Sequence, residues 1–267
     1  MKPALYAYQI PQALGLAIDQ LYAVFGHYDA PRYMLDVCTP CCMSPQLEKE
    51  MRTLPLQQLT AKHFYAYNDS AKNPVQPPDE IKYLLPRMLE LLVHGAELHH
   101  STELYLQRLG NCDRAAYSAA ERSALDRFAL AFFADGLRQH PSLSNNRFAG
   151  SNAFDILLMF DLGGIPLAPL LDYWLTAQEP TSTLHYAESS FWDFWKGHAV
   201  QNAFANDRTV FCQIMTSWML NSQHRQQFAQ KILALDLKNI EPVKPCGCCS
   251  SIRLTDIVES VFDSVAC

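Results

Sequence analysis

Apolar residues recur at intervals of three and four along most of this chain, a spacing that commits it to α-helices packed on one another. Between Gln12 and Phe25 they are Leu14, Ile18, Leu21, Tyr22 and Phe25, one stripe of a helix that Gly26 ends. Pro78-Asp79-Glu80 opens another helix with acidic residues in its first turn, and Ile81, Leu84, Leu85, Met88, Leu91 and Leu92 mark its buried face. Pro86 is expected to kink it. Ser118 and Glu121 have capping-box spacing at the head of a helix that runs to about Arg138 and buries Leu125, Phe128, Ala129, Phe132 and Phe133. Ser44-Pro45 starts a short helix through about Met51, and residues 59–67 make another. Ser151-Asn152 starts one that Asp161-Leu162-Gly163-Gly164 stops. Helices over 190–200, 208–220, 222–235 and 255–265 complete the set. Residues 181–187 have the propensity for a short strand but no partner strand. The expected fold is all-α, an irregular multi-helix bundle or stacked helix pairs with little or no sheet, and no repeat of tetratricopeptide or HEAT period is present.

With 267 residues, 49% of them hydrophobic and 18% charged, the chain has apolar surface enough to offset its ordering entropy. A single helical domain over 1–267 is expected, with a subdomain boundary at 140–150 as the alternative reading. The polar, proline-rich stretch 68–78 is the best candidate linker in the first half. A formal net charge of -6 and the lack of clustered Lys and Arg argue against nucleic-acid binding. The opening residues lack the apolar core and cleavage pattern of a secretory signal, and no run of about 18 apolar residues follows, so a cytoplasmic location and no membrane span are expected.

Six of the nine cysteines fall in two clusters, Cys38-Thr39-Pro40-Cys41-Cys42 and Cys246-Gly247-Cys248-Cys249. An odd number of thiols in a sizeable hydrophobic chain suits a reducing compartment better than a disulfide framework. Cys38 and Cys41 have the Cys-x-x-Cys spacing that presents two thiolates to one ion. With Cys246 and Cys248 they would complete a tetrahedral zinc site, with Cys42 and Cys249 as alternates. The competing readings are inert loop thiols, a regulatory disulfide and a thiolate nucleophile.

Two further groups carry chemistry. Glu97 and His100 have the Glu-x-x-His spacing of di-metal helical bundles, and Glu90 and His94 share a face with Glu97 if the helix continues. Gly95 marks a helix end instead, and no second Glu-x-x-His occurs, so a solvated acidic face is the simpler reading. Phe191-Trp192-Asp193-Phe194-Trp195 packs four rings into five residues, as a ligand pocket, a partner hot spot or plain core would. Phosphate-binding glycine loops, His-Glu-x-x-His and Gly-x-Ser-x-Gly elbows are all missing, which leans the chain away from an enzyme.

The strings Asp36-Val37-Cys38-Thr39-Pro40-Cys41-Cys42-Met43-Ser44, Tyr67-Asn68-Asp69-Ser70-Ala71 and Leu158-Met159-Phe160-Asp161-Leu162-Gly163-Gly164 resemble those of an uncharacterised bacterial all-helical family. That resemblance implies a bacterial cytosolic protein and no assigned catalytic residue. In charge and class the chain is also similar to immunity proteins that neutralise bacterial toxins. The first functional expectation is therefore a cytosolic interaction protein inhibiting a basic toxin domain through Glu90, Glu97, Trp192, Asp193 and Trp195. The alternatives are a thiolate metal or redox protein built on the cysteine clusters, and an enzyme with an aromatic-lined pocket.

Overall fold

The computed structural model describes residues 10–143, 146–148, 150–238, 240 and 252–266. Among these there are twelve α-helices and no strand. No helix among them is long and apolar enough to cross a membrane. The chain divides into two compact units, one of residues up to Phe132 with Met159–Pro166, the other of Phe133–Leu158 with the residues from Leu167 onward. Residues 140–150 lie inside the second.

The first unit holds α1 (Gln12–Phe25), α2 (Pro45–Thr53), α3 (Ala61–Asp69), α4 (Pro78–Val93) and the short α5 (Gln107–Gly110). Leu14, Ile18, Leu21 and Phe25 of the α1 stripe are buried as their spacing predicts and Tyr22 is half-buried; α1 faces α4, where the Tyr22 hydroxyl donates to Glu90 at 2.6 Å. On α4, Leu89 and Val93 enter the core while Leu91 is only half-buried, and Pro86 sits within an uninterrupted helix. Ser44 caps α2 by accepting from the Leu47 amide at 3.3 Å, with Pro45 at the first helical position where its missing donor is harmless. α3 begins two residues later than its apolar pattern suggests, because Thr60 and His63 make a reciprocal cap there.

The chain crosses into the second unit within α6 (Ala119–Arg138) and back within α7 (Ala153–Leu162). The capping box of α6 is formed, Ser118 Oγ accepting from the Glu121 amide at 3.2 Å and Glu121 from the Ser118 amide at 2.6 Å. All five residues expected in the core of α6 are buried. At the end of α7, Gly164 takes φ +72° and lets the Ile165 amide close on the Phe160 carbonyl at 2.9 Å. Gly110 of α5 lies against that ending so closely that an added Cβ would fall 1.8 Å from the Leu162 carbonyl oxygen.

The second unit adds α8 (Ala168–Thr176), α9 (Pro180–Ser190), α10 (Thr209–Leu220), α11 (Ser222–Leu233) and α12 (Leu254–Ala266). The strand expected at 181–187 is helix: Pro180 is pre-set for a first helical turn, and every residue from Ser182 to Ala187 is buried. A segment buried all round shows neither a period of two nor one of 3.6, so propensity alone misleads there. The helix expected over 190–200 is the tail of the same run. It widens into a π turn at Phe191–Trp195 and ends at Lys196. The core of this unit is aromatic. Trp174 is fully buried, meets Phe133 and Tyr186 edge-on at 5.5 and 6.1 Å, stacks on Trp218 at 5.6 Å, and donates from its indole to the Ser182 carbonyl at 2.9 Å. Tyr186 and Phe228 stack at 3.6 Å.

Candidate metal centre on the cysteine loop

The turn after Leu35 is shaped by its backbone rather than by its thiols. The Cys38 amide donates to the Ala71 carbonyl at 3.1 Å and to Ser70 Oγ at 2.8 Å, and the Cys42 and Met43 amides both return to the Cys38 carbonyl. Buried Met43 pins the far end. Two of the strings singled out in the sequence, one around Cys38 and one from Tyr67 to Ala71, are thus in direct contact.

Beneath them lies a buried polar network. Arg108 is 1% exposed and directs five hydrogen bonds inward: to the Tyr67 carbonyl from Nε and Nη2, to the Ser70 and Asp36 carbonyls, and to Gln76 Oε1 at 2.6 Å. A guanidinium has five N–H donors, so its inventory is spent. Its plane also lies 4.0 Å from the centre of the Tyr67 ring. Glu80 accepts from the Tyr67 hydroxyl at 2.7 Å and from the Asp36 amide at 3.2 Å. The Asp36 carboxylate accepts from the Asn73 amide at 3.1 Å, from Asn73 Nδ2 at 2.6 Å and from Gln76 Nε2. Burial lowers the Arg108 pKa and raises that of Glu80, while the opposite charge of each works against the other's shift. The stretch 68–78, expected to be a linker, is instead the hub of this network, with Asn68, Ser70 and Gln76 all buried.

On this base the three sulfur atoms of Cys38, Cys41 and Cys42 lie within 4.8 Å of one another. Cys38 to Cys41 is 3.1 Å and Cys41 to Cys42 is 3.4 Å. Cys41 and Cys42 are exposed and Cys38 half-buried. Hydrogen bonding from Cys41 favours the Cys38 thiolate and lowers its pKa, and the same bond pushes the Cys41 thiol up to about 12. Thiolates about 2.3 Å from a tetrahedral zinc stand about 3.8 Å apart, so a small spreading of these side chains makes three ligands of them. Cys246, Cys248 and Cys249, expected to complete the site, lie outside the described residues.

The residues expected to meet a partner are scattered. Glu90 is half-buried and occupied, accepting from Tyr22 and from Arg87 at 2.7 Å. α4 ends at Val93 with Gly95 at φ +72°, so Glu97 is exposed on irregular chain beyond the helix and not on a face with Glu90 and His94. Of the ring cluster, Phe194 and Trp195 are buried, Asp193 accepts from Asn152, and only Trp192 is exposed, beneath Lys196 Nζ at 4.2 Å. Glu90 and Glu97 belong to the first unit and Trp192, Asp193 and Trp195 to the second. Sequence reasoning missed Arg108, Glu80 and Asp36. The one local signal was a lone arginine inside the apolar run Leu104-Tyr105-Leu106-Gln107-Arg108-Leu109.

No protein-family model, no curated protein and no solved structure matches this chain.

Proposed function

We propose that this is a thiolate metal-binding protein in which Cys38, Cys41 and Cys42 hold one zinc-class ion. The observation that supports it is the gathering of three sulfurs within 4.8 Å on a turn whose backbone is fixed independently of them. Preorganisation matters because a ligand set already in place adds little ordering entropy to the cost of binding. A reducing cytosol would keep the thiols available.

The test is elemental analysis of protein purified under reducing conditions, with thiols counted before and after chelation. The expected result is about one zinc per chain, lost in C38S, C41S and C42S, with three or more thiols released by chelator. Loop thiols that stay freely reactive after zinc loading would overturn the reading.

The 3.1 Å approach of Cys38 to Cys41 favours a second reading, a dithiol that closes to a disulfide. Closure passes two electrons and two protons to an oxidant such as a glutathione disulfide. It would show as two thiols lost per chain and restored by reductant, with no metal retained. The toxin-inhibitor reading has no comparable observation behind it.

A further inference from the structure

A second group of ligand-type side chains sits at the other end of the Asp69–Ala71 segment. Asp69 closes α3, while His99 and His100 follow α4 in an irregular turn. Buried Asn68 brings them together: its Nδ2 donates to the Leu98 carbonyl at 3.0 Å and to the Tyr105 carbonyl at 3.4 Å, stitching the 98–105 loop to the end of α3. Leu98 is fully buried and holds the loop down.

The His99 ring is buried beside Tyr65, 6.5 Å away, and the Ser101 amide donates to its Nδ1 at 3.3 Å. Its Nε2 therefore faces Asp69 Oδ1 at 3.6 Å, too far for a hydrogen bond. His100 Nδ1 approaches the same oxygen at 3.1 Å, and the two imidazoles lie 4.0 Å apart. One atom from each of the three residues lies within 4.8 Å of the others.

Two imidazoles, one of them buried, thus converge on a single carboxylate oxygen, and a metal at the point of convergence would use all three side chains. Nitrogen and oxygen ligands about 2.0–2.2 Å from a tetrahedral cation stand about 3.4 Å apart, and the 3.1 and 3.6 Å separations bracket that value. We propose that Asp69, His99 and His100 form a second metal site, which takes a borderline divalent cation such as zinc through Asp69 Oδ1, His99 Nε2 and His100 Nδ1. Exposed Asp69 and His100 leave its remaining positions open to water. Its carboxylate and imidazole ligands differ from the all-sulfur set of the loop, and zinc accepts either.

Two local features set how tightly it binds. With the Ser101 amide hydrogen on Nδ1, the ring proton of neutral His99 sits on Nε2. Ligation puts the metal there and the proton on Nδ1, so the Ser101 contact has to open. Lys72 lies within electrostatic reach of both Asp69 and His99 and opposes a cation. The site is weaker than its ligand set alone would make it.

The experiment is equilibrium dialysis of zinc against the full chain carrying C38S, C41S and C42S, repeated on the wild-type chain with its thiols alkylated. About one zinc per chain is expected in both. H100Q and D69N, which alter exposed side chains, weaken it about tenfold or more, and K72M tightens it. In nitrogen NMR, zinc should move the His99 ring proton from Nε2 to Nδ1 and shift the Ser101 amide signal. No zinc bound in either preparation, equal binding by H100Q, or bound zinc with the Ser101 amide unmoved would overturn the site. Because the loop thiols are absent or blocked, none of these outcomes depends on the cysteine centre.

Discussion

The first unit is stitched by charge and the second by rings. Around the cysteine loop, Arg108, Glu80 and Asp36 fix backbone that no helix could have fixed, and nearby Lys82 is buried with Tyr28 at 2.8 Å and Glu121 at 3.4 Å. In the second unit Trp174, Tyr186, Trp218 and Phe228 interlock as flat plates, and the Arg147–Asp135 pair at 2.7 Å is a buried polar addition to them. Stacked rings offer few partners for the polar backbone of a loop, whereas a buried polar network holds irregular chain in a fixed shape by satisfying its carbonyls. Among the described residues, the two clusters of metal-ligating side-chain types are accordingly found on the loops of the first unit, not among the rings that drew attention in the sequence.

The sharpest way to break this contrast is to remove each anchor in turn. Arg108→Met leaves the Tyr67, Ser70 and Asp36 carbonyls and the Glu80 carboxylate without their cation, and should cost about 3–5 kcal/mol in urea denaturation while speeding alkylation of Cys38. Trp174→Ala removes a fully buried indole and should cost a similar 3–5 kcal/mol or so by cavity formation, leaving thiol reactivity unchanged at low urea. If both variants freed the thiols equally, loop order would follow overall stability and the assignment of the loop to Arg108 would fail.

A smaller effect tests the ring-lined unit by pH. His185 is 1% exposed, bonded through Nε2 to the Gln139 carbonyl at 2.9 Å, and burial pushes its pKa down to about 4. Unfolded histidine takes up a proton near 6.5, so between these values the unfolded chain binds more protons than the folded one. Stability is full above pH 6.5 and falls as pH drops toward 4, by about 3 kcal/mol at most from this residue. His185→Gln should flatten that part of the profile in thermal melts from pH 7 to 4.5; an unchanged slope would assign it elsewhere.

Smaller still is Glu90→Gln, which weakens the bonds to Tyr22 and Arg87 and should cost about 1 kcal/mol by denaturant titration. Trp192→Ala, at an exposed position, should change stability by only about 0.5 kcal/mol. A much larger loss from Trp192 would mean that the ring cluster is core throughout.

Much of the helical framework was legible from the chain. Leu14, Ile18 and Leu21 repeat at helical intervals, Ser118 and Glu121 announce a cap, and Gly164 announces a stop, because each reports a local rule that packing did not override. Residues 181–187 misled because burial on every side erases periodicity. Cys38 and Cys41 were legible as a pair because their spacing is local; Cys42 completes the described trio. The grouping of Asp69 with His99 and His100 was not, since thirty residues separate its halves and the link is one buried asparagine amide. Arg108 was equally hidden: nothing local says which carbonyls an arginine will meet.

The π turn at Phe191–Trp195 turns chain length into a structural variable. A five-residue turn holds one residue more than an α-helical path needs, and one residue is worth about 100° of rotation. Removing a single residue there would let α9 run on with ordinary hydrogen bonds, yet it would swing whatever follows by more than a quarter turn. Phe194 and Trp195, the last two residues of that turn, are buried in the register that this surplus sets. At this point the count of residues, more than their kind, decides which rings are inside.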